Sequence, residues 1–158
     1  MVKVKKLSRV LVAIDGSNES MRAAEYALSI AVNNEAELIL LHVFYSQLAY
    51  AYTSYLSKVQ DSSSFDAILR SAEEQANRWF NVIKNKLEEG NGQRIGIKSE
   101  VIVTSTSVSK AILEYAEHNK IGLIAIGAKS KSALKKVLLG SATSELLINS
   151  PTPVLVIK

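Results

Sequence analysis

Two glycines and a serine, Gly127, Gly140 and Ser141, bracket a lysine-rich stretch with the composition of a phosphate-binding loop. An apolar run at residues 121–126 precedes Gly127, and a helical pattern begins directly after Ser141. Backbone N–H groups at the start of a helix point outward, and the helix dipole favours an anion there. The stretch therefore predicts an anion site, although glycines and lysines also make ordinary solvated loops.

A second polar cluster, Asp15-Gly16-Ser17, follows an apolar run at residues 9–14. The carboxylate of Asp15 can accept hydrogen bonds from a ligand or cap the helix that follows. Ser141 has the same two alternatives, an anion contact or a helix N-cap. Gly127 either lets a ligand approach the backbone or relieves crowding at a strand end. The residue types alone leave both interpretations open at each position.

Sequence motifs of several catalytic classes are absent. The Gly-Lys-Ser/Thr ending of a P-loop, the dinucleotide motif GxGxxG, the GxSxG elbow and the HExxH zinc motif do not occur. The chain has no cysteine, which excludes a disulfide scaffold, a thiolate metal site and a cysteine nucleophile. His42 and His118 lie on different predicted elements, and we interpret His42 as a hydrogen-bonded core residue. No catalytic residue and no metal site is predicted.

Hydrophobic periodicity predicts strands that alternate with helices. Strands are predicted at residues 9–14, 38–44, 97–104, 121–126 and 153–157, and helices after Ser17, at about 64–89, at 106–118 and from Ala142. Ala24, Ala27 and Ala31 give the first helix a face that can approach a sheet closely, and Ala142, Leu146 and Leu147 mark the helical pattern of the last. The alternation predicts one α/β domain over residues 1–158: a doubly wound, open, five-stranded parallel sheet with helices on both faces.

With the strand order 3-2-1-4-5, the order reverses between the first and fourth strands, and the third lies at an edge. Ligands of such sheets bind beyond the carboxyl ends of the strands at this switch point. Asp15-Gly16-Ser17 and the chain from Gly127 onward are therefore predicted to meet at one crevice. This convergence favours the binding interpretation of both segments.

Residues 45–63 form an insert that holds four of the six tyrosines. We interpret this tyrosine-rich insert as packing on its own core, since aromatic residues at helical spacing usually serve packing. A lid beside the strand ends is the alternative.

Four segments carry a family resemblance: VAIDGS after the first strand, LLHV in the second, IAIGAKSKSALKKVLLGS, and the closing PTPVLVIK. Together they make the chain resemble the universal stress protein family over essentially its whole length. The resemblance implies an adenine-nucleotide-binding regulatory or sensor protein in the stress response. It implies ATP or AMP as ligand, with or without Mg²⁺, and at most slow ATP hydrolysis.

The nucleotide-binding residues implied by the resemblance are Ala13, Ile14, Asp15, Val43, Gly127, Ser130, Gly140, Ser141 and Ala142. Asp15 would accept from the adenine or ribose, and the backbone of Val43 would contact the base edge. Gly127 would begin the phosphate loop, and the start of the last helix would bind phosphates through N–H groups and a hydroxyl. The resemblance also implies a homodimer that pairs through the C-terminal strand, an edge of the sheet.

The sequence departs from the family pattern at Ser130, where nucleotide-binding members have a glycine. Glycine would let the backbone approach the phosphates with no Cβ in between, whereas serine offers a hydroxyl that can donate to a phosphate oxygen. We expect binding to be retained. The alternative is a nucleotide-free member that acts as a protein-interaction module.

The composition excludes several partners. The net charge of +4 is mild, and the lysines do not alternate with aromatic residues as in a single-strand binding groove. We therefore expect no specific nucleic acid. No apolar run approaches the roughly 20 residues that span a bilayer, so no membrane association is expected. The basic start of the chain makes a poor signal peptide, and a cytoplasmic protein is predicted.

Overall fold

The computed structural model describes residues 4–48, 63–90, 94–129 and 139–158 of the chain. Ser130 and residues 49–62 of the tyrosine-rich insert lie outside these ranges. The strands are β1 Arg9–Ala13, β2 Glu37–Tyr45, β3 Ile97–Thr104, β4 Leu123–Gly127 and β5 Val154–Ile157, and the helices are α1 Asn18–Asn34, α2 Ser63–Glu89, α3 Val108–His118 and α4 Ser141–Asn149. None of these helices is both long enough and apolar enough to cross a membrane.

The five strands form one parallel sheet in the order β3-β2-β1-β4-β5, which confirms the predicted fold class. β1 lies at the centre, paired with β2 on one side and with β4 on the other. β3 and β5 are the two edges of the sheet, as the predicted strand order requires. Because β1 and β4 are neighbours although far apart in sequence, the loops that follow them meet at the carboxyl edge.

Alternate residues of the central strands fill two separate cores. Val10 and Val12 belong to the core beneath α1 and α2, whereas Leu11 belongs to the core beneath α3 and α4. All three side chains are fully buried. Burial on both faces explains why these strands appear in the sequence as continuous apolar runs.

Alanines allow α1 to lie close to the sheet. Four of them are fully buried: Ala23, Ala24, Ala27 and Ala31. Ser17 caps the helix by accepting a hydrogen bond from the N–H of Ser20 at 3.1 Å. The helix thus begins directly above the carboxyl edge, with its first turn against the end of β4.

The two leucines of α4 differ in burial. Leu146 is fully buried, whereas Leu147 is 46% exposed. The inner face of this short helix consists of Thr143 and Leu146, three residues apart, and Leu147 lies about 100° further around the axis.

Candidate functional site

A pocket of about 510 Å³ opens at the carboxyl edge of the sheet, beside the first turns of α3 and α4. Its volume is in the range typical of small-molecule sites. Its lining includes the predicted residues Ala13, Ile14, Asp15, Val43, Gly127, Gly140, Ser141 and Ala142. The structure therefore brings together all the predicted nucleotide-binding residues that it describes; Ser130 is outside the described residues.

Asp15 shapes the loop between β1 and α1. Its Oδ1 atom accepts a hydrogen bond from the N–H of Ser17 at 3.0 Å. Ser17, not Asp15, is the N-cap of α1, so the capping role considered for Asp15 is wrong. Gly16 between them has φ +81°, and a Cβ there would lie 2.2 Å from Cζ2 of Trp79. Only glycine fits this position, because both the backbone conformation and the ring exclude a side chain.

Gly127 lies in direct contact with the backbone of α1. A Cβ at this position would be 2.8 Å from the carbonyl carbon of Glu19 and 2.8 Å from the nitrogen of Ser20. The predicted role of relieving crowding at a strand end is therefore real. The carbonyl of Gly127 accepts a hydrogen bond from Oγ1 of Thr143 at 2.8 Å, which fixes the start of α4 relative to β4.

The N-terminus of α4 faces the pocket without an N-cap side chain. Gly140 occupies the N-cap position, and its N–H donates to the carbonyl of Ala128 at 2.8 Å. Ser141 is the first helical residue, so the N-cap role considered for Ser141 is wrong. Because glycine cannot cap through a side chain, the first N–H groups of α4 are directed at whatever occupies the pocket.

The backbone of Val43 faces the pocket because β1 ends before reaching it. The carbonyl of Leu41 accepts from the N–H of Ile14 at 2.8 Å, so Leu41 directs its backbone groups toward β1. Alternate residues of a strand face the same neighbour, and Val43 is the next residue on that side. With β1 ended at Ala13, the N–H and C=O of Val43 point into the crevice.

His42 joins the end of β1 to α2. Its Nδ1 atom lies 2.7 Å from the carbonyl oxygen of Ile14, and its ring meets Trp79 edge-on with centroids 5.3 Å apart. The carbonyl can only accept, so Nδ1 carries the proton. Burial lowers the pKa of His42, and the opposing effects of the Ile14 carbonyl and the Asp15 charge are smaller. The prediction of a hydrogen-bonded histidine is confirmed, and His42 is among the residues that line the pocket.

Several polar pocket residues were not predicted from the sequence. Ser107 and Ser109 from the start of α3, with Thr143 and Glu145 from α4, line the pocket beside the predicted set. A serine pair at a helix start and a glutamate one turn after Gly140-Ser141 were visible in the sequence. Their proximity was not, because Ser107 and Ser109 come more than 30 residues before Thr143 and Glu145 in the chain.

Residues 6–158 match the family model described as the universal stress protein family. The chain belongs to this family. Among curated universal stress proteins, YxiE of Bacillus subtilis is 29% identical over 153 residues, covering 96% of this chain and 99% of YxiE. MJ0531 of Methanocaldococcus jannaschii is 27% identical, covering 95% of this chain and 81% of its own.

Solved universal stress protein structures share the fold. The structure of MJ0577 of Methanocaldococcus jannaschii superposes with a TM-score of 0.76 at 24% identity, over 98% of this chain and 97% of that one. A universal stress protein in complex with cAMP gives a TM-score of 0.58 at 25% identity, and the match covers 97% of this chain and 98% of that one. The universal stress protein from Archaeoglobus fulgidus in complex with dAMP gives a TM-score of 0.64 at 17% identity, and the match covers 98% of this chain and 100% of that one.

Proposed function

We propose that this universal stress protein binds an adenine nucleotide in the carboxyl-edge pocket and acts as a regulatory or sensor protein in the cytoplasm. The observation that carries the proposal is the convergence of Asp15, Val43, Gly127 and the α4 N-terminus on one pocket. The relatives in complex with cAMP and dAMP support the ligand class. ATP and AMP, with or without Mg²⁺, are the specific candidates.

The pocket offers different contacts at its two ends. Ala13, Val43 and Ile126 line the pocket with apolar side chains that would form a surface for the base, and the backbone of Val43 would contact the base edge. Asp15, which lines the same pocket, would accept a hydrogen bond from the ribose or the base. The first N–H groups of α4 and the hydroxyl of Ser141 receive the phosphate, since a helix N-terminus favours an anion. The cation of Lys129, which also lines the pocket, adds to this attraction.

The test uses two variants of Ser141 that differ in charge. Ser141→Asp places a carboxylate in the first turn of α4, where it suits the helix dipole and preserves folding, but it opposes a phosphate at the same N–H groups. Ser141→Asn has nearly the same size and no charge. We expect calorimetric titration to show AMP binding weakened at least tenfold, roughly 1.4 kcal/mol, in Ser141→Asp.

Ser141→Asn serves as the control and should stay within about threefold of the wild type, well under 1 kcal/mol. Equal affinities of the two variants would contradict phosphate binding at α4. No binding of any adenine nucleotide to the wild type would instead favour the protein-interaction module.

We also propose that the protein forms a homodimer through β5. The helix that leads into β5 ends with exposed apolar side chains: Leu147 is 46% exposed and Ile148 is 80% exposed. The outer side of β5 is a sheet edge, which can pair with a second copy of itself.

A proline on each edge strand tests the dimer. The carbonyl of Ile157 accepts from the N–H of Ala128, directly after β4, and that of Thr104 accepts from the N–H of Ser46, directly after β2. By alternation, the N–H groups of Val156 and Val103 therefore point outward from β5 and β3. Proline at such a position leaves the existing ladder intact. We expect light scattering to show a dimer for the wild type and Val103→Pro, and a monomer for Val156→Pro; a dimeric Val156→Pro would contradict the proposal.

A further inference from the structure

A carboxylate from α4 lies at the N-terminus of α3. Oε2 of Glu145 accepts a hydrogen bond from Oγ of Ser109 and lies 3.3 Å from Oγ of Ser107. The two serine hydroxyls are themselves 2.7 Å apart. Ser107 is the N-cap of α3 and accepts from the N–H of Lys110 at 3.3 Å. The hydroxyls therefore hold the carboxylate in one place.

The two helix N-termini at the pocket are consequently not equivalent. A negative charge near a helix N-terminus is stabilised by the dipole, and Glu145 supplies that charge to α3. α4 has only Gly140 at its N-cap and receives no such charge from its own cap. Within the described residues, the N-terminus of α4 is therefore the helix end at which a ligand's anion is favoured. At the N-terminus of α3, the carboxylate of Glu145 already occupies the equivalent position.

We propose that Glu145 determines which adenine nucleotide this pocket accepts, by disfavouring phosphates beyond the first. The inference rests on the proposed nucleotide binding. Glu145 is four residues after Ser141, so its Cα lies about one helical turn, roughly 6 Å, along α4 from the start of the helix. The dipole and N–H groups of α4 offset the repulsion between Glu145 and a single phosphate at the α4 N-terminus. A second and third phosphate add charge to a pocket in which the carboxylate is fixed by Ser107 and Ser109. The favoured ligand class is a nucleoside monophosphate rather than a metal-free triphosphate.

The experiment compares ATP and AMP binding to the wild type and to Glu145→Gln by calorimetry without divalent cations. Glutamine keeps the size of the side chain and an oxygen that accepts from the serines, but removes the charge. One added phosphate charge several ångströms from an exposed carboxylate corresponds, at strong solvent screening, to roughly a three- to tenfold effect on affinity. We expect the ratio of the ATP Kd to the AMP Kd to fall by at least threefold, and by about tenfold at low salt.

The matched control is Glu114→Gln. Glu114 is an exposed glutamate of α3 that does not line the pocket, so its substitution changes the net charge equally. The Kd ratio of this variant should equal that of the wild type. Repeating the titrations at high salt adds a second readout. If the carboxylate acts through its charge, the change in the Kd ratio should shrink at high salt, because salt screens the charge. If the substitution alters the pocket shape, the change in the ratio should not depend on salt.

Three results would overturn the proposal. The first is a ratio of the ATP Kd to the AMP Kd that is unchanged in Glu145→Gln. Measurable AMP binding in that case would still support the proposed function. The second is weaker binding of ATP to Glu145→Gln when Mg²⁺ is present, which would make the carboxylate a metal ligand instead. The third is absence of AMP and ATP binding to the wild type, which refutes the proposed function together with this inference.

Discussion

Replacing Gly127 by alanine should destabilise the protein by moving α1. The new Cβ would lie 2.8 Å from the Glu19 carbonyl carbon and the Ser20 nitrogen, and 2.9 Å from the Glu19 Cβ. An ordinary contact begins at about 3.4 Å, so the backbone of α1 must retreat by about 0.6 Å (3.4 − 2.8). Two of these atoms belong to the backbone of a helix and the third, Cβ, is fixed to that backbone, so none can turn aside as a side-chain end can. Moving α1 away from β4 would also loosen the packing of its fully buried alanine face against the sheet.

The expected cost is about 2–3 kcal/mol, the upper part of the range for overpacking. For a domain of this size, that cost lowers Tm by roughly 4–12 °C. Gly122→Ala is the matched control, because its Cβ would meet only the Cδ1 end of Leu7 at 2.7 Å, and the next atom is 3.5 Å away. A rotation of Leu7 relieves that contact at a cost of about 1 kcal/mol or less.

Differential scanning calorimetry of the two alanine variants and the wild type measures the difference. Both substitutions reduce the freedom of the unfolded chain equally, so that contribution cancels in the comparison. A Gly127→Ala protein that melts at the same temperature as Gly122→Ala would refute the reasoning. It would mean that α1 is not held closely against β4.

Two further predictions concern His42 and Thr143. Because burial lowers the pKa of His42 in the folded state, its contribution to stability is complete above its unfolded value of 6.5 and is lost as pH falls below it. Urea unfolding followed by the fluorescence of Trp79, the only tryptophan, should show the wild type losing more stability between pH 7 and pH 5 than His42→Gln does; parallel pH profiles would contradict this. Thr143→Val removes the donor to the Gly127 carbonyl and should cost about 1–2 kcal/mol, whereas Thr143→Ser, which keeps the hydroxyl, should recover most of it in the same assay.

The sheet and its order could be predicted because the signals are local or follow from topology. The runs that became β1, β2 and β4 are apolar at consecutive positions, which in strands indicates burial on both faces. Alternation with helices then restricts the topology to a doubly wound sheet. Predicted strand ends differed from the observed ones by one or two residues, as at β4, which runs from Leu123 to Gly127.

The details of the site could not be predicted in the same way, because they depend on contacts between distant segments. Nothing around Gly127 in the sequence reveals that the backbone of Glu19 and Ser20 lies against it. The contact of Glu145 with Ser109 joins residues 36 positions apart. The N-cap of α4 is another example: serine is the stronger capping residue, yet Gly140 takes the position and Ser141 begins the helix. Capping propensity indicated that α4 begins near Gly140-Ser141. The hydrogen bond from the N–H of Gly140 to the carbonyl of Ala128 fixes Gly140 as the N-cap residue.

The most direct test of nucleotide binding is mass spectrometry of the small molecules released when the purified wild-type protein is denatured, supported by titration of ligand-free protein with AMP and ATP. We expect an adenine nucleotide to be released or AMP to bind at micromolar strength. We further expect Ser141→Asp to release much less of this ligand than Ser141→Asn does. Wild-type protein that releases no nucleotide and binds neither AMP nor ATP would contradict the central claim, and the carboxyl-edge pocket would then have a structural role only.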